Sequence, residues 1–188
     1  VRACPYGVPF INDEHSAEIN PALCQGCGIC ASECPMDAIQ IGDFNDADMI
    51  DQVTQSATTK DAGHPTIVAF CCQNSGLEAA NMAAAFGMPL PEGLKTVAVP
   101  CAGKVDIDYV MRALAEGADG VVVMACHNGN CKSEKGSLYA SWRAANAQDM
   151  LEAIGVDKAR IRFATTASNM GTEFSRILME MEAAISKK

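Results

Sequence analysis

Four cysteines within eleven residues, Cys24, Cys27, Cys30 and Cys34, constrain this chain more than any other feature. The full chain of 188 residues carries ten cysteines. In a secreted protein that number would suggest a disulfide framework. The spacing argues otherwise. Thiols this close in sequence suit a metal or an iron–sulfur centre, because several thiolates must converge on one point. A reduced, cytoplasmic setting is therefore expected.

Composition excludes several classes. The formal net charge is −9, and no Lys/Arg cluster is dense enough to bind a duplex by counterion release, so no nucleic acid partner is expected. The longest apolar runs, such as residues 120–125, fall well short of the roughly 20 residues of a membrane span. No basic segment followed by an apolar one marks a secretory signal. Any membrane association would come through partner subunits.

Three segments can be distinguished. Residues 1–42 are rich in Pro and Cys, with no helix long enough to build a core. Residues 43–65 are polar and acidic and read as a linker, with a short helix around 48–55. From residue 66 to 188 apolar runs of strand length alternate with helical periodicity. Strands are expected over 66–72, 94–100, 120–125 and 160–164. Helices are expected over 76–86, 106–116, 137–154 and 170–185. The third helix should turn Leu138, Trp142, Ala145 and Leu151 inward, and the last should bury Phe174, Ile177, Leu178 and Met181. Ser168 or Asn169 could cap that last helix. This order implies an α/β domain of three layers with a parallel sheet, flavodoxin-like or Rossmann-like, behind a small ferredoxin-like segment.

Cys24-x-x-Cys27-x-x-Cys30-x-x-x-Cys34-Pro35 matches the bacterial ferredoxin spacing. Gly26 and Gly28 would let backbone N–H groups approach the sulfides. A zinc knuckle is the competing use. In two-cluster ferredoxins the fourth cysteine of each run serves the other cluster. The fourth ligand of the first set should then come from a partner motif, and Cys4-Pro5 looks like its tail. Cys4, Cys24, Cys27 and Cys30 are thus expected to hold one [4Fe–4S] cluster. Cys34 would serve a second cluster whose other ligands precede Val1, so the sequence reads as a C-terminal piece.

Five further cysteines sit at strand ends. Cys71 and Cys72 close the first strand, Cys101 follows the second, and Cys126 follows the third, with Cys131 five residues on. The carboxyl edge of an open parallel sheet is where ligands bind. Free cysteine is also a common core residue, a reading that suits Cys71. Four thiolates could hold a [2Fe–2S] cluster, a [4Fe–4S] cluster or zinc. Gly103 and Gly129 would let amides face the sulfides. Lys132, Lys135 and Arg143 could offset thiolate charge or form a solvated helix face. His127 is a ligand or a neighbour of one; His15 and His64 look like loop residues.

The segment 19–30 resembles the C-terminal ferredoxin region of the A-type subunit of heterodisulfide reductase. Phe70-Cys-Cys-Gln-Asn74, Val99-Pro-Cys-Ala-Gly-Lys-Val-Asp106, Glu116-Gly-Ala-Asp-Gly-Val-Val-Val123 and Ala125-Cys-His-Asn-Gly-Asn-Cys131, with the stretch 168–174, resemble the iron–sulfur (delta) subunit of methyl-viologen-reducing hydrogenase. The fusion of both parts is similar to the B-type subunit of the quinone-modifying oxidoreductase of sulfate reducers, and to extended forms of the A-type subunit of heterodisulfide reductase. Three positions depart from the hydrogenase pattern: Ser75 stands for a cysteine, Ala125 for a glycine and Lys132 for a histidine. They lean toward the quinone-modifying branch. The resemblance leaves Cys72, Cys101, Cys126 and Cys131 as ligands and Cys71 as a spare. It implies FAD as well, but no G-x-G-x-x-G follows a strand here, so a flavin domain would lie upstream.

The resemblance implies an electron-transfer subunit relaying electrons in a quinone-modifying complex, from menaquinol to adenylylsulfate reductase. The alternative is a heterodisulfide reductase relay coupled to hydrogenase or formate dehydrogenase. A zinc-binding scaffold or thiol sensor is the rival of another class. A thiol enzyme using Cys71 and Cys72 is disfavoured, because no His or Asp is placed by sequence to activate them. No catalytic acid–base pair or phosphate loop is visible, so an enzymatic role for this chain by itself is left open.

Overall fold

The computed structural model describes residues 2–186; Val1, Lys187 and Lys188, the outer ends of the two expected segments, lie outside the described residues. The N-terminal segment holds a two-stranded antiparallel hairpin, β1 (Pro9–Ile11) and β2 (Ala17–Ile19), then a single helical turn, α1 (Ile29–Ser32). The remainder runs α2 (Asp46–Thr58), β3 (Ile67–Cys72), α3 (Gly76–Ala85), β4 (Leu94–Val99), α4 (Ile107–Ala115), β5 (Gly120–Cys126), α5 (Gly136–Ala153), β6 (Ile161–Thr166) and α6 (Gly171–Ile185). Strands β3 to β6 form one parallel sheet in the order β4-β3-β5-β6.

Burial on both faces explains the sequence of the central strands. β3 (IVAFCC) and β5 (GVVVMAC) are buried at every position and read as unbroken apolar runs, as interior parallel strands do. Alternate side chains enter opposite layers. Val68, Phe70 and Cys72 face the layer of α2, α4 and α5; Ile67, Ala69 and Cys71 face the layer of α3 and α6. Each large apolar side chain buried this way contributes roughly 1.5–3 kcal/mol. The expected inward face of α6 is realised, with Phe174, Ile177, Leu178 and Met181 all buried. Its N-cap is Met170, without a side-chain capping bond, rather than Ser168 or Asn169.

Two elements differ from expectation. The stretch expected to be a linker is mostly α2. Asn45 caps it by accepting from the Asp48 N–H at 3.0 Å, and Met49, Val53 and Ala57 enter the core at i, i+4, i+8. In α5 the expected face is largely inverted. Leu138 is 37% and Trp142 55% exposed, and Ala145 also faces out. Only Leu151 of that set is buried, together with Gly136, Ala140, Ala144 and Ala147. A stripe of small residues lets α5 approach the loop after β4, and larger side chains would hold the two apart.

The N-terminal segment is docked on the α/β domain by buried groups. Ile29 is fully buried, and Gly103 faces it so closely that a Cβ there would fall 2.7 Å from the Ile29 side chain. Gly28, at φ +77, packs on the stem of Lys104. Ser32 Oγ donates to the Lys104 carbonyl at 2.6 Å. Arg143, far from being a solvated helix residue, is buried. It donates to the carbonyls of Gly103 (2.6 Å) and Val105 (3.2 Å) and pairs with Glu33 at 2.5 Å. Lys104 is completely buried; its ammonium pairs with Asp46 at 2.5 Å and donates to Tyr109 Oη at 2.6 Å.

Candidate iron–sulfur centres

The sheet order places the topological switch between β3 and β5, and the thiols gather at its carboxyl edge. Cys72 ends β3, Cys126 ends β5, and Cys101 follows β4, the other neighbour of β3. Cys131 returns from the turn after β5. The Sγ atoms of Cys72 and Cys126 lie 3.8 Å apart. Cys101 Sγ and Cys131 Sγ meet at the start of α5, both against the Cα of Gly136: a Cβ on Gly136 would overlap Cys101 Sγ and come within 3.3 Å of Cys131 Sγ. Only a glycine leaves room for both sulfurs.

The four thiols form one ring of neighbours, Cys72–Cys101–Cys131–Cys126, and shift one another's titration. Bonds from Cys101 and Cys126 lower the pKa of Cys72 and of Cys131. Conversely, bonding to Cys131 and Cys72 pushes Cys101 and Cys126 up, and burial adds to the rise. Backbone N–H groups of Asn74 and Ala102 favour the Cys72 thiolate, that of Gly103 favours Cys101, and that of Ser137 favours Cys131. Amides and soft thiolates around one point are the donor chemistry of an iron–sulfur or zinc site. Among the described residues, no three His, Cys, Asp or Glu side chains are already closed around a single-ion position.

Cys71 stands apart. The strand alternation sends it into the opposite layer, where burial raises its thiol to about 12. His127 also stays out of the ring: its Nδ1 lies 2.9 Å from Thr165 Oγ1 and its Nε2 3.5 Å from Met170 Sδ. Lys132 and Lys135 are exposed, His15 sits at φ +60 in the hairpin loop, and His64 pairs with Glu92 at 3.0 Å. Gly129, at φ +79, has open space around it.

The second gathering is in the N-terminal segment. Cys4, Cys24, Cys27 and Cys30 line one small cavity with Tyr6, Ile19 and Ile41. Burial pushes Cys27 up, with Cys30, Cys4 and Cys24 adding charge repulsion; burial, then Cys4 and Cys24, do the same at Cys30. The Gly26 N–H reaches Cys24 Sγ at 3.4 Å. Cys34 does not line this cavity. Backbone N–H groups of Met36, Ala38 and Ile39 lower its pKa, so its thiolate is separately supported.

Tyr6 stands between the two gatherings. Its hydroxyl donates to the Lys132 carbonyl at 2.8 Å. Its pKa is raised by burial and then, against a bond to Ser133, by the charges of Cys27 and Cys101 among others. An open cleft of about 450 Å³ runs along this seam, lined by Tyr6, Cys27, Asn74, Pro100, Lys132 and Ser133 among others. Lys104 and Arg143, which clasp the two parts, carried no separable sequence signal of burial. Among the described residues no helix is long and apolar enough to cross a membrane.

Known proteins resemble the chain in both parts. The family described as "Methyl-viologen-reducing hydrogenase, delta subunit" matches residues 67–187. A "4Fe-4S binding domain" matches residues 17–40. The iron-sulfur subunit of the F420-non-reducing hydrogenase of Archaeoglobus profundus is 33% identical over 123 residues, covering 65% of this chain and 90% of that protein. The vhu iron-sulfur subunit of the F420-non-reducing hydrogenase of Methanocaldococcus jannaschii is 36% identical over 123 residues, covering 65% of this chain and 92% of that protein. The A-type subunit of the ferredoxin:CoB-CoM heterodisulfide reductase of Methanosarcina mazei is 29% identical over 197 residues, covering 89% of this chain but 25% of that protein. The match to the last spans both parts of the chain. With its parallel sheet, its strand-end thiols and a 4Fe-4S binding domain ahead of them, the chain belongs to the methyl-viologen-reducing hydrogenase delta-subunit family.

Proposed function

We propose that this chain is an electron-relay module with two iron–sulfur centres, working between subunits of a hydrogenase- or heterodisulfide-reductase-type complex. The observation that carries this reading is the ring of Cys72, Cys101, Cys126 and Cys131, built across the seam from Cys4, Cys24, Cys27 and Cys30 with Tyr6 between them. The four N-terminal thiols would hold a [4Fe–4S] cluster. The ring would hold the second centre, a [2Fe–2S] cluster or similar. When bound, each centre supplies reversible one-electron chemistry at its iron. The protein's part is to supply thiolates and amide donors, to bury the ring, and to fix the two sites relative to each other through Lys104, Arg143 and Ser32. One electron enters at one site and one leaves at the other, so the chain needs no proton donor of its own. Cys34 would contribute to a further cluster with ligands from outside the described residues.

The relatives favour a hydrogenase-linked relay over the menaquinol-to-adenylylsulfate-reductase relay. Ser75, Ala125 and Lys132 are the specific observations that keep the quinone-modifying branch as a second reading. Affinity capture of the native complex separates them: hydrogenase and heterodisulfide reductase subunits support the first, adenylylsulfate reductase the second.

The relay itself is tested by anaerobic reconstitution with iron and sulfide, followed by metal, sulfide and EPR analysis. Iron with acid-labile sulfide at both sites is expected; zinc without sulfide would replace the relay with a scaffold or sensor. Variants assign the ligands. Cys101→Ser or Cys131→Ser should lose the ring's EPR signal, because a hydroxyl is a much poorer iron ligand than a thiolate, while Cys71→Ser should keep it. Loss of the signal in Cys71→Ser and retention in Cys72→Ser would reverse the assignment. In the N-terminal segment, Cys4→Ala should cost the ferredoxin-type cluster and Cys34→Ala should not. The opposite pattern would mean that Cys34 closes its own cubane.

A further inference from the structure

Among the described residues, two buried side-chain oxygens have no hydrogen-bond partner: Thr66 Oγ1 and Ser75 Oγ. Thr66 precedes β3, at the end of the sheet away from the thiols. Ser75 sits among them. It occupies the N-cap of α3, where a serine hydroxyl ordinarily accepts from an N–H of the first turn. Here the backbone lies at φ −153, ψ −71 and the hydroxyl makes no capping bond. The residue is only 2% exposed. A buried polar atom left this way costs stability and calls for an explanation.

Its surroundings supply one. The Ser75 N–H donates to the Cys72 carbonyl at 3.1 Å, which pins the residue to the end of β3. Ser75 and Cys126 line the same small cleft at the strand ends, with Asn74, His127 and Asn130. The Ser75 hydroxyl thus belongs to a cleft shared with Cys126 and has no hydrogen-bond partner among the described residues. Another buried serine of the site is already committed: Ser137 Oγ donates to the Cys126 carbonyl at 2.6 Å.

We propose that the Ser75 hydroxyl is a hydrogen-bond donor to the iron–sulfur group held at Cys72 and Cys126, and that it sets that group's reduction potential. The proposal rests on the reading of the thiol ring as an iron–sulfur centre. The reduced state of such a centre carries more negative charge on its sulfurs than the oxidised state. A donor aimed at those sulfurs stabilises the reduced state more, and the potential rises. Ser75 thus acts as a positioning and tuning residue, not as a ligand.

The test uses the full chain, reconstituted anaerobically, as wild type, Ser75→Ala and Ser75→Thr. Iron and sulfide content, the EPR-monitored midpoint of each centre and the exchangeable-proton ENDOR of the ring centre are measured, with thermal melts of the metal-free chains. In Ser75→Ala, iron and sulfide should equal wild type. The midpoint of the ring centre should fall while that of the ferredoxin-type cluster stays. An exchangeable-proton coupling should disappear, and Ser75→Thr, which keeps the donor, should restore it. The metal-free Ser75→Ala chain should melt no lower than wild type, because an unused hydroxyl has been removed; a purely structural role would lower it. An unmoved midpoint at full iron content overturns the proposal and leaves the relay reading intact. Loss of the ring's iron in Ser75→Ala also overturns it, by making Ser75 a ligand. Wild-type chain that takes up iron only at the ferredoxin-type site overturns the relay reading and the proposal together.

Discussion

Gly136→Ala should strip the centre at the strand ends while leaving the ferredoxin-type cluster in place. The reasoning is steric. Gly136 opens α5 with an ordinary helical backbone, so alanine meets no conformational obstacle there and would even favour the helix by about 1 kcal/mol. Its Cβ, however, would overlap Cys101 Sγ and sit 3.3 Å from Cys131 Sγ. Both sulfurs are on short tethers: Cys101 follows β4 directly, and Cys131 lies five residues past the end of β5. Gly103 offers no retreat, because it already packs against the Cα of Gly136 on one side and Ile29 on the other. The ring must therefore open, and iron content should fall to that of the ferredoxin-type cluster alone. Gly42→Ala is the matched control, since a Cβ there meets nothing within 4 Å. Full iron content in Gly136→Ala would show that Cys101 or Cys131 can leave the ring without cost, and would remove them from the ligand set.

The parts of this design that are legible in the sequence are those with short-range signatures. Apolar runs such as those of β3 and β5 announce interior parallel strands, and a cysteine at the end of each of three neighbouring strands announces a shared edge. Even Cys71 can be set aside, because strand alternation forces adjacent residues into opposite layers. The failures share one cause. In α2 the buried positions Met49, Val53 and Ala57 are diluted by Asp, Gln and Thr, so the stretch reads as a linker. In α5 the inward stripe is Gly136, Ala140, Ala144 and Ala147, with Leu138 and Trp142 outside. Hydrophobicity then points away from the core, because closeness of approach is needed more than apolar volume. Arg143 and Lys104 are charged residues buried against partners 110 and 58 positions away in sequence, Glu33 and Asp46. No local pattern reports a contact of that kind. Ser75 is a different case. It departs from the related pattern at a visible position, but its missing capping bond, its orphaned oxygen and its place in the cleft with Cys126 are seen only in the fold.

The buried network around Lys104 should be the other point of large loss. Asp46→Asn should lower the stability of the metal-free chain by about 3–5 kcal/mol, because it leaves an ammonium buried without its counter-charge. Lys104 is fully buried, and its Nζ has Asp46 and Tyr109 Oη as partners. Tyr109 also hydrogen-bonds Asp46, so the amide breaks a network of three groups rather than one pair. Lys104→Met should cost less, about 1–3 kcal/mol. It keeps an apolar stem against Gly28, and the carboxylate it abandons is 26% exposed and can recruit water. The same network sets a pH dependence. Burial raises the Asp46 pKa, but bonds from Lys104, Tyr109 and Gln40 outweigh it, and the net shift is downward from 3.8. A carboxylate depressed in the folded state contributes stability that is fully present above its unfolded pKa and is lost as pH falls through its folded one. Wild type should therefore lose part of its stability on acidification below about pH 4, and Asp46→Asn should lose less over the same window. Urea melts of the three chains at neutral and acid pH measure both effects. Equal losses for Asp46→Asn and Lys104→Met at neutral pH would mean that the ammonium is released to solvent when its partner goes.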